Sequence, residues 1–304
     1  MRRYILETPY ISVVIPVLNG EKFVIRCLES IMMLDYPKDN FEIIIVDNGS
    51  KDRTVEMIKT FQSKNSQIKL HFEKIKSSYA ARNLGVKNAK GSIIAFTDID
   101  CVINKEWLTN LVKGFSEDSI GGVAGDIIPE NGDSVVERFS TKIGLLSQKM
   151  VLSAKYLPLP YAQTANVAYR KILFDQIGFF DDSLISGGDV DFSWRLMLHT
   201  EYNISYVSDA IVYHKHRTNL KDFYKQAFRY GYGKIFLYKK YESSVFNKIK
   251  EDTSVRIKGL GNDEIIDTNK SGVNDISLTL FQPLLKAIYF GGFNLGKIYA
   301  RYKI

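Results

Sequence analysis

The chain has 304 residues, 45% hydrophobic and 25% charged, an ordinary balance for a globular protein able to bury a sizeable core. Two cysteines, Cys27 and Cys101, exclude a disulfide framework and fit a reducing compartment. The net charge of +7 is unevenly placed, because residues 215–258 carry twelve Lys or Arg against four Asp or Glu.

Such a basic tract can serve nucleic acid, an anionic membrane surface, a phosphorylated ligand or a solvated helix face. Residues 1–7 lack the apolar run of a signal peptide, and no stretch has the length and purity of a spanning helix. A cytoplasmic protein is expected, able to lie peripherally on the inner face of the cell membrane.

In chain order, residues 11–17 form a β-branched run, a first strand, and Asn19-Gly20 marks the turn after it. Residues 21–33 place Phe23, Cys27, Leu28 and Ile31 at helical spacing. Residues 41–46 are continuously apolar, as in a strand covered on both faces, and end in Asp47-Asn48-Gly49-Ser50. Asp52 is placed to cap the next helix, 68–72 reads as a short strand, and 79–89 as a third helix. Residues 92–97 are a buried strand running into Asp98-Ile99-Asp100. Extended backbone would put both of these acids on one face.

Farther on, 107–115 and 134–155 read as helices, with strands at 121–125 and 165–169. A Gly-containing loop reaches Gly187-Gly188-Asp189-Val190-Asp191 and opens a helix through Trp194. Strands at 204–207 and 210–213 lead into His214 and His216. Residues 221–240 form a basic, aromatic helix that Gly231 and Gly233 interrupt. Residues 242–272 are polar and irregular, and 278–300 turn apolar again. That last segment suits a helix lying in an interface or packed on the domain.

Strands alternating with helices imply a doubly wound, mostly parallel α/β sheet, whose ligands bind beyond the carboxyl ends of the strands. Asp47, Asp98 and Asp100 all close strands and meet at that edge. Hard divalent cations take such oxygen ligands together with phosphates. No G-x-G-x-x-G follows the first strand and no P-loop occurs, which argues against a dinucleotide or P-loop site.

Five stretches together carry a resemblance: 13–19 (Val-Val-Ile-Pro-Val-Leu-Asn), 45–52 (Ile-Val-Asp-Asn-Gly-Ser-Lys-Asp), 80–85 (Ala-Ala-Arg-Asn-Leu-Gly), 96–100 and 187–195. In this order and spacing the chain resembles a family 2 glycosyltransferase of GT-A fold, over roughly residues 10–235. The resemblance implies a GT-A domain over 1–235, with a nucleotide-binding half to about residue 100 and an acceptor half beyond it. A C-terminal, helical extension over 236–304 follows, with a possible anionic membrane surface as its partner.

It further implies inverting transfer of a sugar from a nucleotide diphosphate donor to a saccharide or lipid-linked acceptor, with Mn2+ or Mg2+ as cofactor. Pro16, Val17 and Asn19 would line the nucleotide pocket, and Asp47 would read the base or ribose. Asp98 would sit near the ribose, Arg82 would reach the diphosphate, and Asp100 with His214 would hold the metal, His216 being the rival histidine. Asp189 resembles the general base, with Asp191 as its rival. Relatives often carry Glu before this base, where Gly188 stands here. The alternatives are a sugar nucleotidyltransferase, whose Gly-rich basic loop after the first strand is missing, and a non-catalytic carbohydrate-binding relative. Nucleic acid is not expected as a partner, since no RNA- or DNA-binding module accompanies the basic tract.

Overall fold

A computed structural model describes residues 8–154, 157–241, 257–260 and 276–303. The expected irregular segment 242–272 lies almost entirely outside the described residues, as do residues 1–7. The strands are β1 (Ile11–Val17), β2 (Phe41–Asp47), β3 (Ile68–Phe72), β4 (Ile93–Thr97), β5 (Cys101–Ile103), β6 (Ile120–Pro129), β7 (Asn166–Arg170), β8 (Asn203–His214) and β9 (Ile257–Lys258). The helices are α1 (Val24–Met32), α2 (Thr54–Gln62), α3 (Ser78–Asn88), α4 (Trp107–Lys113), α5 (Val135–Lys142), α6 (Gln148–Leu152), α7 (Ile172–Gln176), α8 (Gly188–His199), α9 (Leu220–Lys240) and α10 (Ile276–Lys303).

One sheet runs in the order β3-β2-β1-β4-β7-β6-β8-β5, with β9 beside β8. The β1–β2, β1–β4, β2–β3, β6–β8 and β8–β9 pairs are parallel, while β7 is antiparallel to both neighbours and β5 to β8. The sheet is therefore mostly parallel. The apolar strands serve both faces at period two: Val13, Ile15, Ile43 and Ile45 join one core, and Val14, Ile44 and Val46 the other. Strand order reverses between β1 and β4, which opens a crevice at their carboxyl ends.

Four expectations change. The single helix expected over 134–155 is split into α5 and α6, since Gly144 and Leu146 adopt left-handed φ values of 66° and 72°. The glycines of α9 do not interrupt it. They are contact points, because a Cβ on Gly231 would lie 1.9 Å from the Phe293 carbonyl oxygen of α10, and one on Gly233 2.5 Å from that of Ser186. The two strands expected before His214 are one, β8. The acids Asp98 and Asp100 do not continue an extended strand, because the backbone turns at 98–100, with the Cys101 amide bonded to the Asp98 carbonyl at 3.1 Å.

The bend in β8 is built by a buried amide. Gly125 of β6 pairs with Val207, but its neighbour Asp126 pairs with Ile211, so β8 bulges between them. Asn166 fills the bulge. Its Nδ2 donates to the carbonyls of Asp126 and Ala210, both at 2.7 Å, and its Oδ1 accepts from the Trp107 indole at 2.7 Å. Beyond the bulge, β8 pairs with β5, placing Cys101 opposite His214. The C-terminal α10 packs along α9 and against α5. The boundary expected near residue 235 falls inside α9. Among the described residues no helix is long and apolar enough to cross a membrane.

Candidate functional site

At the carboxyl end of β1, the loop carrying Asn19 is clasped to the loop after β2. Ser50 Oγ accepts from the Asn19 amide at 2.8 Å, and Asn19 Oδ1 accepts from the Lys51 amide at 2.8 Å. Thr54 Oγ1 accepts from the Gly20 amide at 2.8 Å. Pro16 and Val17 are buried in the last residues of β1, with Val17 beside Asp47. Asp47, 3% exposed, accepts from the amides of Gly49 at 2.9 Å and Ser50 at 3.1 Å, so its carboxylate is locked by its own turn. Asn48 donates to the carbonyls of Glu73 and Ile75, at 3.1 and 2.6 Å, and anchors the segment that leads to α3.

The D-x-D turn sends its two acids to different partners. Asp98 accepts from the buried Arg82 guanidinium of α3 at 2.5 Å. Asp100 faces β8, with its Oδ1 3.4 Å from His214 Nε2 and its Oδ2 3.9 Å from Arg217. His214 Nδ1 is 2.9 Å from the Lys215 carbonyl, which can only accept, so Nδ1 carries a proton and donates. In the neutral ring, Nε2 then turns a lone pair toward a carboxylate, an arrangement that a cation between them satisfies.

Asp100, Cys101 and His214 bring possible ligand atoms within 4.8 Å of one another. Burial, then Asp100 and Asp98, push the Cys101 thiol well above its ordinary range, so it stays protonated and is no ligand for a hard cation. Asp100 and His214 fit a divalent ion. His216 is buried, and burial and the nearby His214 push its pKa down to about 4.

Asp189 lies in the first turn of α8, which starts at Gly187 in the left-handed region, φ 91°. Its Oδ1 accepts from the Val190 amide at 3.0 Å and faces the Tyr79 hydroxyl at 3.5 Å. Burial raises its carboxyl above the ordinary range, and the charge of Arg82 pulls it partly back. Burial and Asp189 together hold the Tyr79 hydroxyl far above its usual range, so it remains a donor. The Arg82 guanidinium lies 5.7 Å from the centre of the Tyr79 ring, so Asp98 in the turn after β4, Arg82 and Tyr79 of α3 and Asp189 of α8 form one connected group. Arg82 Nε is buried and has no partner among the described residues.

Asp191 belongs to a different setting. It is fully buried, and its carboxylate is held by Arg195 at 2.9 Å, Lys240 at 2.8 Å and the Tyr241 hydroxyl at 2.7 Å. These three bonds tie α8 to the end of α9.

A cavity of about 420 Å³ opens beside Asp189 and Tyr79, between α5, α6, α9 and α10. Asp47, Asp98 and Asp100 lie outside it. Sequence reasoning missed Tyr79 and Arg217. Tyr79 stands one helical turn before Arg82, a spacing that brings both side chains to one face. Arg217 could have been found only from the approach of β8 to β5.

The pattern described as Glycosyl transferase family 2 matches residues 12–178. The glycosyltransferase AglE of Haloferax volcanii is 32% identical over 231 residues, covering 75% of this chain and 73% of the relative. A Methanococcus voltae enzyme, named as a glucuronosyltransferase acting on dolichyl N-acetyl-glucosaminyl phosphate, is 29% identical over 245 residues, 76% of this chain and 74% of its own. Among solved structures, the mannosyltransferase PcManGT of Pyrobaculum calidifontis, in complex with GDP-Man and Mn2+, superposes with a TM-score of 0.64 at 17% identity, over 98% of this chain and 87% of its own. S. aureus TarS, residues 1–349, superposes with a TM-score of 0.55 at 20% identity, over 97% and 92%. These two likenesses share the fold of a curled, mostly parallel sheet with flanking helices. The sequence matches carry the assignment further: the chain belongs to glycosyl transferase family 2 and is a glycosyltransferase of GT-A fold.

Proposed function

We propose that this enzyme moves a sugar, with inversion, from a nucleotide diphosphate donor to an acceptor hydroxyl, assisted by Mn2+ or Mg2+. The observation that carries the reading is the connected group Asp98–Arg82–Tyr79–Asp189. It sets a carboxylate of raised proton affinity on the cavity wall and a fixed cation between it and Asp98.

In this reading Pro16, Val17 and Asn19 line the nucleotide pocket, Asp47 and Asp98 bind base and ribose, and the free N–H of Arg82 reaches a donor phosphate oxygen. Asp100 and His214 hold the metal, which when bound neutralises charge on the departing diphosphate. The acceptor oxygen attacks the anomeric carbon, and its proton passes to Asp189. The bond from that carbon to the diphosphate oxygen breaks, and its electron pair leaves with the nucleoside diphosphate. Asp189 is the sole carboxylate among the described side chains lining the cavity, which supports a single displacement with inversion; a two-step retention needs a second, nucleophilic carboxylate. The base is assigned to Asp189 and not to Asp191, whose carboxylate is fully buried against Arg195, Lys240 and Tyr241.

Exposed apolar residues of α10, among them Leu280, Leu284 and Phe290, support a peripheral seat on an anionic membrane. A thermal-shift screen of nucleotide sugars with Mn2+ present identifies the donor, since a ligand of the folded state raises the midpoint. Asp189→Asn is then expected to keep that shift and lose transfer. If the variant transfers at the parental rate, the base lies elsewhere.

A further inference from the structure

Arg217 lies just beyond the end of β8 and turns back to Asp100, the acid proposed to hold the metal. Its Nη1 is 3.9 Å from Asp100 Oδ2, too long for a hydrogen bond, and its side chain is 44% exposed. Among the described residues Asp100 is its sole ion-pair partner, and none of its N–H donors is in a hydrogen bond. A guanidinium presents a planar fork that matches the oxygens of a phosphate, and this fork is unfilled. Its charge reaches in two directions. On one side is Asp100. On the other is Tyr230 of the cavity wall, whose hydroxyl is raised by burial and by Asp189 and lowered in part by Gln226 and Arg217. Arg217 thus stands between the metal acid and the cavity that holds the proposed base.

A divalent ion at Asp100 and His214 changes that setting. It takes the carboxylate with which Arg217 is paired and sets its own positive charge beside the guanidinium. Like charges a few ångströms apart repel as strongly as an ion pair at that distance attracts, so the ion and Arg217 compete for Asp100. An anion that both can bind ends the competition.

We propose that Arg217 is a counter-ion that changes partners: without donor it occupies Asp100, and with metal and donor present its fork closes on the diphosphate. The proposal rests on the reading of Asp100 and His214 as the metal site, and it adds a donor-binding residue and a coupling between two ligands. Metal alone binds against Arg217. Metal and diphosphate together bind cooperatively, because the phosphates draw off the charge that opposes the ion. The same contact stabilises the nucleoside diphosphate as it leaves.

The test uses the full chain and titrations of Mn2+, followed by the paramagnetic resonance of the free ion. They are run alone and with UDP, GDP or pyrophosphate, corrected for the ion that each diphosphate holds in solution. Arg217→Gln should tighten Mn2+ alone about fivefold and weaken the diphosphates at saturating Mn2+ about tenfold. A structural defect would weaken both, so the opposite signs identify the counter-ion. Arg217→Lys keeps the charge and loses the fork, so Mn2+ alone should bind as to the parent while the diphosphates stay weakened.

Unchanged Mn2+ affinity in Arg217→Gln overturns the proposal, as does unchanged diphosphate affinity, or a parent protein that takes up none of the three diphosphates. Asp100→Asn separates the two readings. If it abolishes Mn2+ binding while Arg217→Gln alters nothing, the metal site stands and the counter-ion falls. If it binds Mn2+ like the parent, the metal site lies elsewhere and the proposal falls with it.

Discussion

Two carboxylates, Asp189 and Asp191, stand two residues apart on the same helix and have opposite fates. Asp189 faces the cavity, raised by burial and held back by Arg82. A base must be ionised to act, so the acid limb of kcat against pH should lie above the ordinary carboxylate range. Removing the cation with Arg82→Met takes away the influence that lowers it. The limb should therefore move to still higher pH, while Arg82→Lys should largely restore it. A pH profile of kcat at saturating donor checks this, and a limb that stays in place would separate Arg82 from Asp189. Asp191, in contrast, is fully buried against two cations and a hydroxyl. Cutting it to Ala leaves the Arg195 guanidinium without its carboxylate, while Lys240 keeps Asp181 at 2.9 Å. Breaking a buried pair in this way costs about 3–5 kcal/mol, readable as a lower midpoint in urea or heat.

At the scale of the element, the start of α8 is shaped by what packs on it. Gly188 stands immediately before Asp189, the proposed base. A Cβ there would lie 2.8 Å from the ring of Tyr79. The ring of Tyr79, stacked on Phe180 with centroids 6.0 Å apart, fills the space that a longer residue would need. Tyr79 and Gly188 are thus a complementary pair joining α3 to α8. Gly188→Ala should push Tyr79 off Asp189 and cut turnover at least tenfold, an overpacking effect of about 1–3 kcal/mol. Adding Tyr79→Ala should recover stability without recovering the lost rate. A double-mutant cycle of melting and kcat measures the coupling, and simple additivity would count against the pairing. The same logic of close approach governs α9 and α10. A Cβ on Gly296 would meet the Phe228 carbonyl oxygen at 2.0 Å, so small residues let the two backbones cross.

At the scale of the whole molecule, the bulge in β8 delivers His214 to Asp100 across the sheet. Asn166 holds that bulge with three hydrogen bonds from a site of zero exposure. Asn166→Leu leaves the Trp107 indole and two carbonyls unpaired, at about 1–3 kcal/mol for each buried group. The expected outcome is a large loss of stability together with weaker Mn2+ binding, measured by melting and by metal titration. Retained metal affinity would show that β8 reaches Asp100 without the bulge.

Much of this architecture was legible in the residues. Period-two burial of β1 and β2, the alternation of strands with helices, and the acids at strand ends follow from local rules, and they placed Asp47, Asp98 and Asp100 at one sheet edge. Turns are written in short stretches because they need only neighbours, as with Asn19-Gly20 after β1 and Asp47-Asn48-Gly49-Ser50 after β2. The pairing of β5 with β8, the turn that separates Asp98 from Asp100, the meeting of Tyr79 with Gly188 and the apolar cavity under α10 depend on residues tens to hundreds of positions apart. Three residues are too short to declare β5 as a strand, and a glycine in α9 looks like an interruption until the helix that crosses it is present. Sequence alone determined which chemistry the chain carries, because side-chain type and local period are intrinsic. Tertiary structure decided which acid lines the cavity and which is bound into the frame, because exposure and partners are properties of packing.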